Sequence, residues 1–173
     1  MNVQTAVQQQ LAGTRGTLGF MLGDCDPELL NMTLPGATLG SIASIYAHMV
    51  FAEDAFVQAR FQGELTVFES GGWEEKTGVA SPGMPPAITP EWAAALKMDL
   101  PRFQEYADAV FAATDAYLAS LPDAELDRKI QGATGGEYTL GWGVAILLGQ
   151  HAAQHSGEIA ALKGVQGLKG LPY

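Results

Sequence analysis

The feature that most restricts the fold of this chain is a set of four long segments in which apolar residues recur at helical spacing. In the first segment, Val7, Leu11 and Leu18 fall on one face of a helix. No stretch of useful length alternates apolar and polar residues as a half-buried strand does. The pattern therefore predicts an all-α fold, a single four-helix-bundle domain over residues 1–173, with a long loop between the second and third long helices. The predicted long helices are 3–22, 39–61, 100–120 and 140–165.

Capping residues separate these helices from the segments between them. We expect Thr38 or Ser41 to cap the second long helix and Thr139 to cap the last, because a hydroxyl accepts a hydrogen bond from the free amides of a first turn. Thr89 and Asp99 stand in the same position ahead of a short helix and of the third long helix. Short helices are expected at 28–32 and 91–98, and a turn or small hairpin at 127–138.

Residues 62–88 lose helical periodicity and collect glycine and proline. A loop of this length inside a compact domain commonly acts as a lid or covering segment. We therefore predict that it covers one end of the bundle. Trp73, an aromatic residue among glycines, is expected to respond to ligands there, and Tyr138 is a second loop aromatic expected to line a cavity. By contrast, helical spacing favours core packing for a further set of aromatic residues: Tyr46, Phe51, Phe56 and Trp142.

The charge balance argues against some classes of partner. With 9 basic and 19 acidic residues the net charge is -10, which repels the phosphates of nucleic acids and anionic membrane surfaces. No apolar run approaches the roughly 18 residues that cross a bilayer.

Cys25 is the single cysteine, so no intrachain disulfide can form, and its neighbours Asp24 and Asp26 disfavour a reactive thiolate. The polar start MNVQTAVQQQ lacks the plan of a signal peptide, which favours a cytoplasmic location.

The chain has three histidines, all in predicted helices. His151 and His155 are four residues apart, and four residues turn an α-helix by about 400°, so both leave the same face one turn apart. His48, in the second long helix, is the remaining imidazole that could join them. Together the three have the composition of a metal site. The alternative is that each is an isolated histidine that faces solvent or is satisfied by hydrogen bonds.

Two carboxylates lie near these histidines in the sequence. Glu158 follows His155 by three residues, so it falls near the same helical stripe. It is a candidate catalytic residue that orients a ligand, transfers a proton or becomes a fourth ligand; the alternative is an ordinary salt bridge. Glu53 lies five positions from His48, about 140° around the helix, and is expected to face solvent or another helix.

Three imidazole ligands would allow catalysis. Neutral histidines suit zinc, nickel, iron or copper, and three protein ligands leave at least one position on the ion open for water or substrate. Such an ion can generate hydroxide from water, or hold a thiol as thiolate, at neutral pH. Hydrolysis and thiol transfer are both compatible with this pattern.

The mid-helix His48, the stretch His151-Ala-Ala-Gln-His155 and the following Ser156-Gly157-Glu158-Ile159 through Leu162-Lys163-Gly164 resemble the DinB/YfiT-like superfamily of metalloenzymes. The resemblance covers nearly the whole chain and includes residues 121–127, which are similar to that family's passage from its third helix into a turn.

This resemblance implies a four-helix bundle, frequent dimerisation and a divalent metal, often zinc or nickel, on three histidines that match His48, His151 and His155. Better-characterised members use low-molecular-weight thiols, among them mycothiol-dependent isomerases and bacillithiol transferases. Mycothiol-dependent maleylpyruvate isomerases tend to present a carboxylate where this chain has His151, a departure that argues against mycothiol and maleylpyruvate.

Two functions are therefore expected from the sequence. The first is a metal-dependent enzyme, a thiol transferase or a small-molecule hydrolase, that acts on a small-molecule substrate as a homodimer. The second is a non-catalytic, metal-binding or stress-associated dimeric bundle, in which the ion only ties the second and fourth long helices together. A closed fourth ligand would favour the second, and an open position beside a cavity would favour the first.

Overall fold

The structure is a computed structural model that describes residues 2–36, 38–132 and 135–173. Most of these residues are helical, and a short antiparallel hairpin precedes the last long helix, with Ile130 paired to Tyr138. The α-helices are α1 (Val3–Leu22), α2 (Pro27–Asn31), α3 (Ile42–Asp54), α4 (Val67–Gly71), α5 (Trp73–Thr77), α6 (Pro90–Ala95), α7 (Leu100–Ser120), α8 (Leu140–Gly143) and α9 (His151–Val165), and the strands are β1 (Lys129–Gln131) and β2 (Glu137–Thr139). The predicted all-α fold is confirmed.

Two of the long helices change from α to π geometry along their length. Helix α3 continues directly as a π-helical segment, Ala55–Gln62, and α8 is joined to α9 by another, Val144–Gln150. π-helical turns are rare and occur frequently at functional sites. Here they lie on the two helices that carry the three histidines.

The helix starts follow the capping residues of the sequence. The hydroxyl of Ser41, and not that of Thr38, accepts from the backbone N–H of Ser44 at 3.1 Å, so the second long helix begins at Ile42 and not at 39. Thr89, Asp99 and Thr139 cap α6, α7 and α8 as predicted.

The long helices form a bundle in which α3 packs against α7 and α9, while α1 packs against the same two helices from the other side. Two apolar clusters fill the interior. The larger is built around Phe51, Phe103 and Tyr106, and the smaller around Leu11 and Phe61. This arrangement brings α3 alongside α9, and therefore His48 alongside the other two histidines.

The predicted loop 62–88 is more structured than expected, since it contains α4 and α5. Asp54, at the end of α3, accepts hydrogen bonds from the backbone of Val67 and Phe68 and from the hydroxyl of Tyr106, which fastens this segment to the bundle. Each of these helices has only five residues, which is too short to show a periodic pattern.

Within the described ranges, no helix is both long enough and apolar enough to span a membrane.

Candidate metal centre

The three histidines meet between α3 and α9. The Nε2 atom of His151 lies 3.1 Å from Nε2 of His48 and 3.2 Å from Nε2 of His155. One ring nitrogen from each residue falls within 4.8 Å of the others, and no further histidine, cysteine or carboxylate among the described residues joins the group. The structure thus brings together the three residues that the sequence singled out.

The donor set fits a divalent ion. A neutral imidazole nitrogen carries either a proton or one lone pair, so three Nε2 atoms that converge on one point cannot all be satisfied by hydrogen bonds to each other. Three lone pairs aimed at one cation would satisfy all of them. For zinc–nitrogen bonds of about 2.0–2.1 Å in tetrahedral geometry, neighbouring nitrogens are about 3.3 Å apart. The separations of 3.1 and 3.2 Å around His151 are close to that spacing.

Burial keeps the imidazoles in the form that binds metal. Removal from water lowers the pKa of His48 to about 4, with a smaller contribution from the neighbouring His155. The pKa of His151 is lowered to about 3, again first by burial and then by the other two histidines. Both rings are therefore neutral at physiological pH, and a neutral ring nitrogen can donate its lone pair.

Glu158 supports His155 from the side away from the cluster. Its Oε2 lies 2.6 Å from Nδ1 of His155, one helical turn earlier on α9. When Nδ1 carries the proton and donates it to this carboxylate, Nε2 is left with the lone pair that faces the other histidines. Glu158 therefore contacts a histidine of the site but does not join the ring of converging nitrogens, and its catalytic role stays a prediction.

His48 lacks such a support. Its Nδ1 is buried and has no hydrogen-bond partner in the part of the chain that the structure describes. The ring lies against His155, with ring centroids 4.8 Å apart, in an edge-on arrangement. Its other nitrogen, Nε2, contacts Nε2 of His151 on α9 at 3.1 Å.

Glu53 does not reach the centre, in agreement with its helical position. Its Oε1 lies 2.6 Å from Nη2 of Arg15, and the Arg15 Nη1 donates to Asp115 at 2.9 Å. The carboxylate therefore ties α3 to α1 on another side of the helix, and Arg15 extends the link to α7. The sequence placed Glu53 away from the histidines but did not identify Arg15 as its partner.

The aromatic predictions are confirmed in part. Tyr46 and Phe51 belong to the core, whereas Phe56 is only partly buried and packs edge-on against His151, with centroids 6.0 Å apart. For Trp142 the core prediction is wrong: it is 48% exposed, because it lies in the first turn of α8, where it packs against Tyr138 at the surface. Trp73 packs against Tyr106 beside the larger apolar cluster.

A family model described as the DinB superfamily matches residues 10–159. A solved structure, described as the conserved protein of a locus from Enterococcus faecalis, is similar with a TM-score of 0.81 at 20% identity, over 94% of this chain and 95% of that one. At that identity the likeness shows the fold alone. A search of curated proteins found no match.

Proposed function

This chain belongs to the DinB superfamily, and on that premise we propose that it is a divalent-metal-dependent enzyme whose ion is held by His48, His151 and His155. The reaction we propose is transfer of a low-molecular-weight thiol or hydrolysis of a small molecule, with zinc or nickel as the resident ion. The observation that carries the proposal is the convergence of three Nε2 atoms at a point between two helices.

The number of protein ligands supports catalysis over a structural role. Structural zinc sites are closed by four protein ligands, whereas catalytic sites keep one position for water or substrate. Among the described residues only three groups converge, and the nearest carboxylate, Glu158, is engaged with the outer nitrogen of His155. A fourth protein ligand from Glu158 would require that hydrogen bond to break.

Access also supports catalysis. The side chain of His155 is 18% exposed and that of Glu158 is 36% exposed, so the centre is reached from solvent along α9. His48 lies deeper. One side of the cluster is therefore packed, and the other borders solvent.

The chemistry divides between the ion and the chain. A bound divalent ion would supply a Lewis acid that favours the deprotonated form of a water or a thiol at neutral pH. His48 and His151, neutral because they are buried, would hold it. Glu158 would fix the tautomer and the direction of the His155 ring and, being partly exposed, could pass a proton between the site and solvent.

The second candidate is a metal-binding bundle without catalysis, in which the ion ties α3 to α9. The direct packing of these two helices supports it, because a shared ion there would stabilise the native contact.

A homodimer is predicted for either function. Light scattering at micromolar concentration tests it, and a result that shows only monomer would contradict it.

Metal content is the first test. Protein purified without an affinity tag, so that no added histidines bind metal, should hold one divalent ion per chain by elemental analysis. Absence of stoichiometric metal, even after incubation with zinc or nickel salts and removal of the excess, would remove both candidates.

An open position is the second test, and it separates the two candidates. After exchange to cobalt(II), the visible absorption spectrum should change when azide or a small thiol such as cysteine or glutathione is added, because these compounds occupy the open position. A spectrum that no added anion or thiol changes, together with unfolding on metal removal, would favour the structural bundle.

A further inference from the structure

A cleft of about 610 Å³ lies beside the metal centre, where the two π-helical segments approach the hairpin. It is in the size range of small-molecule sites. Pro85, from the long connection between α5 and α6, reaches its edge. Its walls carry both aromatic and charged side chains: Phe56, Arg60, Glu137, Tyr138, Trp142 and Leu147.

Arg60 is the cation of this cleft. Its Nη1 donates to the backbone oxygen of Gln131 at 2.8 Å, which braces the side chain against β1. It forms no ion pair with any carboxylate in the described ranges, in a chain where acidic residues outnumber basic ones 19 to 9. A guanidinium has five N–H donors in a fixed planar fork, so most of them stay available for a planar anion.

The aromatic wall is accessible. The rings of Tyr138 and Trp142 lie 5.1 Å apart, tilted by 50° against each other, and Trp142 is 48% exposed. Gly143 allows this packing, because a Cβ there would lie 2.9 Å from the ring of Tyr138. An exposed indole beside a second aromatic ring offers a surface against which a flat apolar group can stack.

We propose that this cleft binds small organic carboxylates that carry a flat apolar group. The carboxylate pairs with the guanidinium of Arg60, and the flat group stacks on the exposed ring of Trp142, beside Tyr138. Charge complementarity selects the anion, and the aromatic rings select its apolar part.

The cleft and the metal centre share a wall. Phe56 lines the cleft and also packs edge-on against His151. Leu147 lines the cleft one helical turn before His151. A carboxylate bound at Arg60 is thus separated from the histidines by the Phe56 and Leu147 side chains. The proposal that this ligand is the substrate rests on the proposed function, whereas the proposal that it binds in the cleft does not.

Glu137 gives the proposal a second, opposite test. Its carboxylate lies in the same cleft and accepts from Nε2 of Gln131 at 2.5 Å, so Arg60 and Glu137 both contact Gln131. A negative charge there opposes an anionic ligand, so its removal should tighten binding. If the ligand of the cleft were a cation, the same change would weaken binding.

The probe is 2-naphthoate, with 2-naphthalenemethanol as the neutral compound of the same shape. Binding is followed by NMR of the indole N–H signals, assigned with Trp→Phe variants. We expect naphthoate to shift the Trp142 signal saturably and to leave the signals of Trp73 and Trp92 in place, and we expect the alcohol to bind about tenfold more weakly. No saturable shift at Trp142 up to about 10 mM would overturn the proposal.

The variants decide which groups act. R60Q should weaken naphthoate binding about tenfold or more, R60K should weaken it less, and E137Q should tighten it a few-fold. R102Q, on the exposed first turn of α7, is the matched control and should change nothing. Arg60 also braces the hairpin, so R60Q can disturb folding. In that case E137Q still tests the proposal, because Glu137 does not hold the hairpin to Arg60. Unchanged affinity in a folded R60Q, or weaker binding in E137Q, would overturn the assignment.

Failure here is distinguishable from failure of the metal proposal. The same titration in His48→Ala, which removes a proposed ligand but no cleft residue, should give the wild-type naphthoate affinity. A protein that binds metal but no naphthoate refutes the cleft alone, and one that binds naphthoate but no metal refutes the centre alone.

Discussion

Among the polar side chains that helix α3 buries, His48 and Glu53 stand five residues apart and have different surroundings. Glu53 is paired with Arg15 on α1, and Arg15 also contacts Asp115 on α7. His48 has a buried Nδ1 without a partner among the described residues, and its Nε2 points at two other imidazoles. Removal of either side chain from water costs free energy. The ion pair with Arg15 offsets this cost for Glu53, whereas no described residue does so for Nδ1 of His48.

The difference separates a buried polar group that holds the structure together from one that the proposed metal site would use. A satisfied pair such as Arg15 and Glu53 acts within the fold. A set of converging ring nitrogens that cannot all satisfy each other by hydrogen bonds is the arrangement on which the proposed metal site rests. Although Arg15, Glu53 and His151 line one small cavity of about 10 Å³, the ion pair and the histidines have different partners. Mutations at each region should therefore have separable effects.

The largest effect is expected from His48→Ala. Loss of one of three ligands leaves a two-point site, so stoichiometric metal binding should be abolished. Removal of a residue that only supports a ligand typically lowers metal affinity about 10–100-fold, which is a smaller loss. Elemental analysis after gel filtration measures it. Gln154→Ala, an exposed change on α9, is the control and should keep full metal content. Full affinity in His48→Ala would show that α3 contributes no ligand.

Arg15→Ala should have the opposite result to His48→Ala: the protein should lose stability and keep its metal. Removal of one partner of a buried ion pair costs about 3–5 kcal/mol of unfolding free energy, because the other charge remains buried. Arg15 and Glu53 side chains are 14% and 9% exposed. Urea denaturation measures the effect, and Arg102→Ala, at an exposed pair, should cost less than about 1 kcal/mol. If Arg15→Ala released the metal, the two regions would not be separable.

Glu158→Ala should have a smaller effect on the metal than loss of a histidine. The carboxylate orients His155 through Nδ1, and removal of such a partner typically lowers metal affinity about 10–100-fold. Competition with a chromophoric chelator measures it. Glu158→Gln keeps an acceptor oxygen and should recover part of the loss. Equal affinity in wild type and Glu158→Ala would mean that this contact does not support the site.

The smallest effect is expected from mild acid. Because burial lowers the pKa of His48 to about 4 and that of His151 to about 3, protons compete weakly for these ligands near neutrality. Metal affinity should fall less than about tenfold from about pH 7.5 to about pH 6, and steeply below about pH 5, as these rings begin to bind protons. The chelator titration repeated across this range measures it. Complete release near about pH 6.5 would show that these rings titrate like exposed histidines.

Much of the helical framework could be predicted from sequence, because it depends on local periodicity and on caps. The helices at 3–22 and 100–120 match their predicted bounds, and the histidine pair on α9 needs only helical geometry. The short helices α4 and α5 were missed, since five residues show no period. Trp142 was misassigned, because its spacing is compatible with a core position while its place in a first turn exposes it.

By itself, then, the sequence determined the long helical segments, that His151 and His155 share a face, and that Glu53 points away from His48, since each follows from the period of a helix. Only the tertiary structure decided what lies across each face. The packing of α3 against α9 brings His48, 103 residues away from His151, to within 3.1 Å of it. Arg15 finds Glu53 in the same way, across 38 residues. Such pairs form where helices pack, and their identity depends on distances between elements that no local pattern contains.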